Sequence, residues 1–337
     1  MPPFCPDCPP TKPAHHASEW IQTVFLEIID RFLEPLIPRF LKIGFNIGLM
    51  KALLIGLVKI GFLREAEIVP ELKIHPRTVQ IAEEAARRGL SVLALTHHRR
   101  PTNFFVLKGH GKPYYFEGLP GYTLDFVTDI DDKHSAKKRL QALGIPVPRG
   151  AVFFRPSSAL RFAEELGWPL VVKPPYSSLS RHVSVNLRNP EELRRAIRVA
   201  HRISVSFLVE EFLEGFYFRA TAVGDRVLAV CRRDAPATPH EGAPGWKFNL
   251  DLGGTVTDVT DTVHPDNWAL FEKIATAVSH PAIGIDFIAP NISESWKNQR
   301  CGVIELNSLP AIDLHTTPII QGTSRNLAGA ILDQVFP

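Results

Sequence analysis

The sequence predicts a mixed α+β protein, and three observations carry that expectation. From about residue 71 onward, helical stripes of apolar residues alternate with short strand-like apolar runs. Two pairs of runs, at 104–116 and 216–231, are joined by tight polar turns and read as antiparallel hairpins. Two late strands, Gly284-Ile-Asp-Phe-Ile-Ala-Pro290 and Val303-Ile-Glu-Leu-Asn-Ser-Leu-Pro310, carry acidic and amide groups among apolar neighbours.

A chain of 337 residues is long enough for two or three domains with their own cores. An apolar share of 45% and a charged share of 22% are ordinary for a soluble globular protein. The net charge of +3 is too small, and the basic residues too scattered, to point to nucleic acid. The four cysteines make no disulfide framework, which favours a reducing compartment, and a cytoplasmic protein is expected. Cys5 and Cys8 with His15 and His16 have the residue types of a zinc site, but their Pro-rich setting favours a mobile tail. Met1-Pro-Pro-Phe-Cys5 lacks the basic start and apolar middle of a secretory signal.

Taken in order, Glu19 to Phe40 reads as an amphipathic helix interrupted at Pro35 and Pro38. Ile43 to Leu63 is almost wholly apolar, with Lys51 and Lys59 as its only charges. Three readings of residues 19–64 stand open: packing on the protein's own body or a dimer partner, lying at a membrane surface, or spanning the bilayer. Spanning would bury two lysines, each costing about 3 kcal/mol at mid-membrane. Arg77 to Arg88 is a helix ended by Gly89, and Leu90 to Leu95 a strand. His97-His-Arg-Arg100 reads as a solvated loop. The hairpin at 104–116 turns at Gly109 to Lys112; Gly109-His-Gly111 has no third glycine or following helix and is not a dinucleotide fingerprint. Helices follow at 131–144, 157–167, 190–202 and 266–278, and strands at 151–154, 169–174 and 206–213. The second hairpin turns at Gly224-Asp225, and no internal repeat is present.

In the last strand Glu305 and Asn307 share a face by the two-residue period. If that strand pairs with its predecessor, Asp286, Glu305 and Asn307 bring three oxygen-bearing side chains together. Hard oxygen donors suit Mg²⁺, which is held by one or two carboxylates while phosphates complete its shell. A surface hairpin with scattered polar groups is the plainer alternative. Lys173 ends an apolar strand, where it can hold phosphates as a point charge or stand exposed in solvent. Lys133 opens a helix about forty residues earlier. The polar loop Tyr176-Ser-Ser-Leu-Ser-Arg-His182 follows Lys173, and Glu210-Glu-Phe-Leu213 follows in turn.

In this order the motifs resemble the ATP-grasp superfamily, most closely the ATP-grasp domains of cyanophycin synthetases. The residues that carry the likeness are Asp132-Lys133 with Lys137, Gly144-Ile-Pro-Val-Pro148, Val171-Val-Lys-Pro174, Val185-Asn-Leu187, Val209-Glu-Glu-Phe-Leu213, Gly253-Gly-Thr255, His264-Pro-Asp-Asn267, Gly284-Ile-Asp286, Glu305-Leu-Asn307 and His315. Glutathione synthetases and ribosomal-modification glutamate ligases share a subset. The likeness covers about residues 75–337. No Gly-x-x-x-x-Gly-Lys-Ser/Thr loop is present, so the Mur-ligase-like half of the longer enzyme is not expected here.

The resemblance implies an ATP-grasp fold of two α+β lobes, at 131–213 and 214–337. A small α/β domain at 66–130 and a tail with an apolar helical segment at 1–65 would precede them. It implies a carboxylate–amine ligase that forms an amide through an acyl-phosphate on an amino acid or short peptide, using ATP and two Mg²⁺ ions. A nucleotide-binding module without catalysis, membrane-associated through 19–64, is the alternative. Lys133 and Lys173 would hold phosphates, with Ser177, Ser178, Ser180 and Arg181 covering them. Glu210, Glu211, Phe212 and Leu213 would bind adenine. Arg219, Arg233, Lys247 and Asn249 would stabilise the transferring phosphoryl group or the acyl-phosphate. Asp286, Glu305 and Asn307 would hold the metal. A homo-oligomer, dimer or tetramer, is the family-level expectation. Two departures stand out. Ser177, Ser178, Ser180 and His182 replace glycines of the phosphate-covering loop, which should stiffen it. Tyr217 stands where an acid usually meets the ribose hydroxyls.

Overall fold

The computed structural model describes residues 16–28, 52–109, 111–122, 130–177, 180–236, 250 and 253–335. The Cys5/Cys8/His15 zinc alternative, the breaks at Pro35 and Pro38, and Ser178, Lys247 and Asn249 lie outside them. So does most of the apolar run before residue 52.

Helix α1 (His16–Ile28) and a helical stretch at 52–59, α2, come first. They are followed by β1 (Arg64–Glu67), α3 (Pro76–Arg87), β2 (Ser91–His97), β3 (Arg100–Lys108) and β4 (Tyr114–Glu117). Helix α3 starts where its chemistry says it should. The His75 ring accepts the Arg77 N–H at 3.3 Å, Pro76 takes the first turn, and Gly89 leaves in the left-handed region at φ 73°. The four strands pair in order β1-β2-β3-β4, all antiparallel. The α/β character expected for 66–130 is therefore corrected to α+β: β2–β3 and β3–β4 are hairpins, and the connection through α3 returns its strand antiparallel. The loop expected at His97–Arg100 is instead a two-residue turn. His98 and Arg99 both take positive φ, 47° and 62°, while His97 pairs with Arg100. Left-handed residues at both turn positions match the twist of the flanking strands.

One face of this sheet packs Phe105, Leu107 and Phe116 against Ile81 and Ala85 of α3. On the other face Leu54 of α2 meets Leu95 and Val106. The end of the apolar segment, residues 52–63, thus packs on this sheet on one side. Among the described residues no helix is long and apolar enough to cross a membrane.

The middle of the chain gives α4 (Lys133–Ala142), β5 (Gly150–Phe153), α5 (Pro156–Leu166), β6 (Leu170–Lys173), β7 (Ser184–Leu187), α6 (Pro190–Ala200) and β8 (Phe207–Glu211). The strands form an antiparallel sheet of order β5-β8-β6-β7, covered by α5 and α6 through Ala163, Leu193, Ile197 and Phe207. Helix α4 is capped by Asp132, whose Oδ1 accepts the N–H groups of His134 and Ser135 at 2.7 and 2.9 Å.

The last third gives β9 (Phe216–Val223), β10 (Arg226–Asp234), β11 (Thr255–Asp258), α7 (Pro265–Val278), β12 (Ala282–Ala289), β13 (Gly302–Asn307), β14 (Ile320–Gln321) and α8 (Leu327–Val335). The six strands order as β13-β12-β9-β10-β11-β14, antiparallel except for the last pair. Phe271 and Ile274 of α7 bury against Phe218, Ile285 and Phe287. Leu327, Ile331 and Leu332 of α8 join the core of the first sheet, which also takes Val223 and Ala282 from the six-stranded one.

Candidate active site

A cavity of about 230 Å³ opens between the four-stranded and six-stranded sheets. Strand alternation decides what faces it. Val171 and Lys173 of β6 point in, as do Glu210 of β8, Tyr217 of β9, Ile288 of β12 and Glu305 of β13. Lys133, at the first turn of α4, closes one end. Val185, Leu213 and Ile304 supply apolar walls.

Three buried lysines meet two carboxylates here. The Lys173 ammonium lies 2.8 Å from Glu210 Oε2, and the Lys137 ammonium donates to Glu210 Oε1. Burial pushes both lysines down. For Lys173 burial is the largest single influence, but the Glu210 charge, the hydrogen bonds to Glu210 and Lys137 and the Glu305 charge together outweigh it and raise it, whereas Lys137 falls to about 7. Burial pushes Glu210 up, but its two lysines outweigh that and hold it below the usual carboxylate range. Lys133 donates to the Ser177 carbonyl at 2.7 Å and lies 3.5 Å from Glu305 Oε1. Lys173 from the four-stranded sheet and Lys137 from α4, whose Ala136 and Leu140 pack in the core of the six-stranded sheet, thus share Glu210 beside a cavity whose far wall carries Glu305.

The second cluster centres on Asp286, which is 1% exposed. Cross-strand register makes it. Asp286 stands opposite Arg219 on β9 and Glu305 on β13, and Gly284 opposite Asn307. The Arg219 guanidinium grips the carboxylate with two N–H groups, one of them at 2.9 Å. The Tyr217 hydroxyl donates to Asp286 Oδ2, Asn307 Nδ2 lies 3.4 Å from the same oxygen, and Arg233 lies 3.9 Å from Oδ1. Burial pushes Asp286 up, but Arg219 and the remaining donors outweigh it and lower it. Burial and the Asp286 charge push the Tyr217 hydroxyl up, so it stays protonated and donates. Gly284 gives Arg219 its path: a Cβ there would lie 2.9 Å from Nη1 and 3.1 Å from Cδ.

The residue types expected to hold Mg²⁺ stand together, though not all with free oxygens. Asp286 and Glu305 are cross-strand neighbours with the Asn307 amide beside them, two carboxylates and an amide of hard oxygen chemistry. Among the described residues no group of three or more His, Cys, Asp and Glu side chains stands together as a metal site. Glu305 faces the cavity, whereas both Asp286 oxygens are already held by Arg219 and Tyr217.

The structure brings together Lys133, Lys173, Ser177, Ser180, Glu210, Phe212, Leu213, Tyr217 and Glu305 around one cavity. Both Glu210 oxygens are taken by lysines, and the Phe212 N–H donates to the Pro169 carbonyl at 3.0 Å. Glu211 reaches the cavity rim, but its carboxylate pairs with Arg149 at 3.1 Å and Arg300 at 2.7 Å. Tyr217 turns its hydroxyl to Asp286. In the covering loop Ser180 and His182 take φ of 53° and 55°, the conformation glycine adopts without strain, and Arg181 lies between them, half-buried. The Ser177 hydroxyl is buried without a hydrogen-bond partner. Sequence reasoning assigned no role to the Lys137 ammonium, to Gly284 as the gap for Arg219, or to Val171, Ile288 and Ile304 as cavity wall. The inward phase of the apolar strands was the available signal for Val171 and Ile288; Ile304 reaches the cavity at the β12–β13 register shift, which strand phase does not show.

Residues 132–235 match the family described as carbamoyl-phosphate synthase L chain, ATP binding domain. The chain is 25% identical over 334 residues to the cyanophycin synthetase of Trichormus variabilis, covering 79% of this chain and 36% of that protein. It is 28% identical over 266 residues to the glutathione biosynthesis bifunctional protein GshAB of Streptococcus mutans, covering 61% of this chain and 35% of that one. It therefore spans little more than a third of the curated relatives it matches. Among solved structures it resembles a bifunctional glutathione synthetase from Pasteurella multocida, with TM-score 0.55 and 20% identity over 79% of this chain and 44% of that one.

Proposed function

Because the chain carries an ATP-grasp domain homologous to those of cyanophycin synthetase and glutathione synthetase, we propose that it is an ATP-dependent carboxylate–amine ligase acting on an amino acid or short peptide. The observation that carries this reading is the convergence of Lys133, Lys173 and Glu305 on one cavity between two sheets. Adenine fits between the apolar walls of Val171, Leu213 and Ile304, and the phosphates reach toward Lys133 and Lys173. Ser177 and Ser180 supply further donors over them. Asp286, Glu305 and Asn307 would hold Mg²⁺, which neutralises phosphate charge when bound.

In the reaction, a substrate carboxylate oxygen attacks the γ-phosphorus and ADP leaves, giving an acyl-phosphate. The amine nitrogen then attacks the acyl carbon, phosphate leaves, and the nitrogen loses a proton. Arg219 and Arg233 stand beside Asp286, where they can stabilise charge on the transferring phosphoryl group. Their fixed geometry supplies positioning and electrostatic stabilisation, which dominate phosphoryl transfer. The test is ADP release over an amino-acid and dipeptide panel with Mg²⁺, with hydroxylamine as the acyl-phosphate trap. We expect release that needs both an acid and an amine, and hydroxamate when hydroxylamine replaces the amine. No release over the whole panel would count against the reading.

A further inference from the structure

Outside the cavity, the end of α2 and the β2–β3 turn form one surface. The His97 ring stacks on Phe62 at 4.1 Å and 28°, and its Nδ1 lies 2.9 Å from the Phe62 carbonyl. The Thr96 hydroxyl donates to the Arg64 carbonyl at 3.1 Å. Phe62, Arg64, His97, His98 and Arg99 line a shallow pocket of about 460 Å³. Along α2 and the residues that follow it three large apolar side chains stand in solvent: Leu53 is 52%, Ile60 75% and Phe62 51% exposed. Lys59, Arg64, His98, Arg99 and Arg100 are exposed too. The adjacent Glu65 is answered by Lys108, and among the described residues no ion pair engages Lys59, Arg64, Arg99 or Arg100. None of these residues lines the nucleotide cavity.

We propose that this patch docks the protein on an anionic phospholipid surface. An acidic protein would answer the cations but leave three large hydrocarbon side chains to find separate partners. The interface of an anionic bilayer answers both at once, with acyl chains for Leu53, Ile60 and Phe62 and lipid phosphates for the ring of cations. Long Lys and Arg stems let the charges rise to headgroup level while the apolar side chains enter. Leu54 of α2 and Leu63 just beyond its end fix the segment to the sheet, so its outer face is presented in one orientation.

The test is co-sedimentation of the full chain with vesicles of phosphatidylcholine mixed with phosphatidylserine, against phosphatidylcholine alone. We expect binding to the mixed vesicles, loss of it at high salt, and little binding to the neutral ones. Arg99→Asn with Arg100→Gln should weaken partition about thirtyfold, from the contribution of two basic residues near an anionic surface. Ile60→Ser should weaken it independently. Both variants leave residues 1–58 untouched, so a loss is assigned to the patch, with circular dichroism and melting as the fold control. Equal binding of parent and variants, or equal binding to both vesicle types, overturns the proposal. So does a parent that binds no vesicle but whose variants shift from oligomer to monomer in sedimentation velocity, which would assign the patch to a second copy of this chain.

Discussion

His315 shows how a single buried side chain writes itself into the pH dependence of the fold. It is fully buried, its Nε2 lies 2.8 Å from the Thr221 hydroxyl, and its Nδ1 has no partner. Burial and then the Arg219 charge lower it from 6.5 to about 3, so the native imidazole stays neutral. Between those values the unfolded chain binds a proton that the native state refuses, and stability falls as pH falls through the window. At pH 5 the loss from this group is about 2 kcal/mol relative to pH 7. His315→Gln should therefore lose less stability than the parent over that interval, as read by urea denaturation at both pH values. An identical loss in the two proteins would remove His315 from the account. The sequence displayed His315 among the residues of the family likeness, but its burial and neutral state follow from a neighbouring strand and a neighbouring arginine that no local pattern reveals. Ser180 and His182 show the converse. Their replacement of glycine was visible in the sequence, and the loop nonetheless adopts the backbone glycine favours.

At the scale of elements, the site is a consequence of register. Strand β9 carries Tyr217, Arg219 and Thr221 on one face, and β12 sets Ile288, Asp286 and Gly284 opposite them. A one-residue slip would send Asp286 to the other face of the sheet and dissolve the cluster. Gly284 is the element's weak point, because a side chain there meets the guanidinium that Asp286 holds. Gly284→Ala should cost about 1–3 kcal/mol by forcing that buried pair to shift. Most of the cost should vanish in an Arg219→Gln background, since the two positions share one contact. A double-mutant cycle by denaturant titration measures this, and purely additive effects would refute the clearance role. The longer strands were legible from two-residue periodicity and most helices from their caps, whereas the short strands β1, β7, β11 and β14 and the helix α8 were not read. The turn at His98–Arg99 was not, because its charge pattern resembles a solvated loop and only the pairing of the flanking strands shows it to be a turn.

The whole molecule makes its cavity by closing one sheet over another, with Lys173 on the first and Glu305 on the second. A ligand that bridges both should raise global stability by mass action, by about 2.7 kcal/mol at a hundred times its dissociation constant. We expect ADP or a non-hydrolysable ATP analogue to raise Tm with Mg²⁺ and much less with chelator. Asp286→Ala combined with Glu305→Ala should abolish the Mg²⁺-dependent part, and a shift that persists undiminished in that double variant would sink the metal assignment. The sequence by itself determined most of the helices and longer strands, the α+β class, and the shared face of Glu305 and Asn307, while Lys133, Lys173 and Glu210 were marked through the family resemblance. The first three depend on local periodicity, capping and strand phase, which are written along the chain. Only the tertiary structure decided that Glu210 neutralises two lysines, that Asp286 is already gripped by Arg219 and Tyr217, and that the end of α2 meets the β2–β3 turn in one basic and apolar patch. Each of these joins residues from separate strands or helices. The energies involved, burial of charge against a partner's field, exist only once the partners are in place.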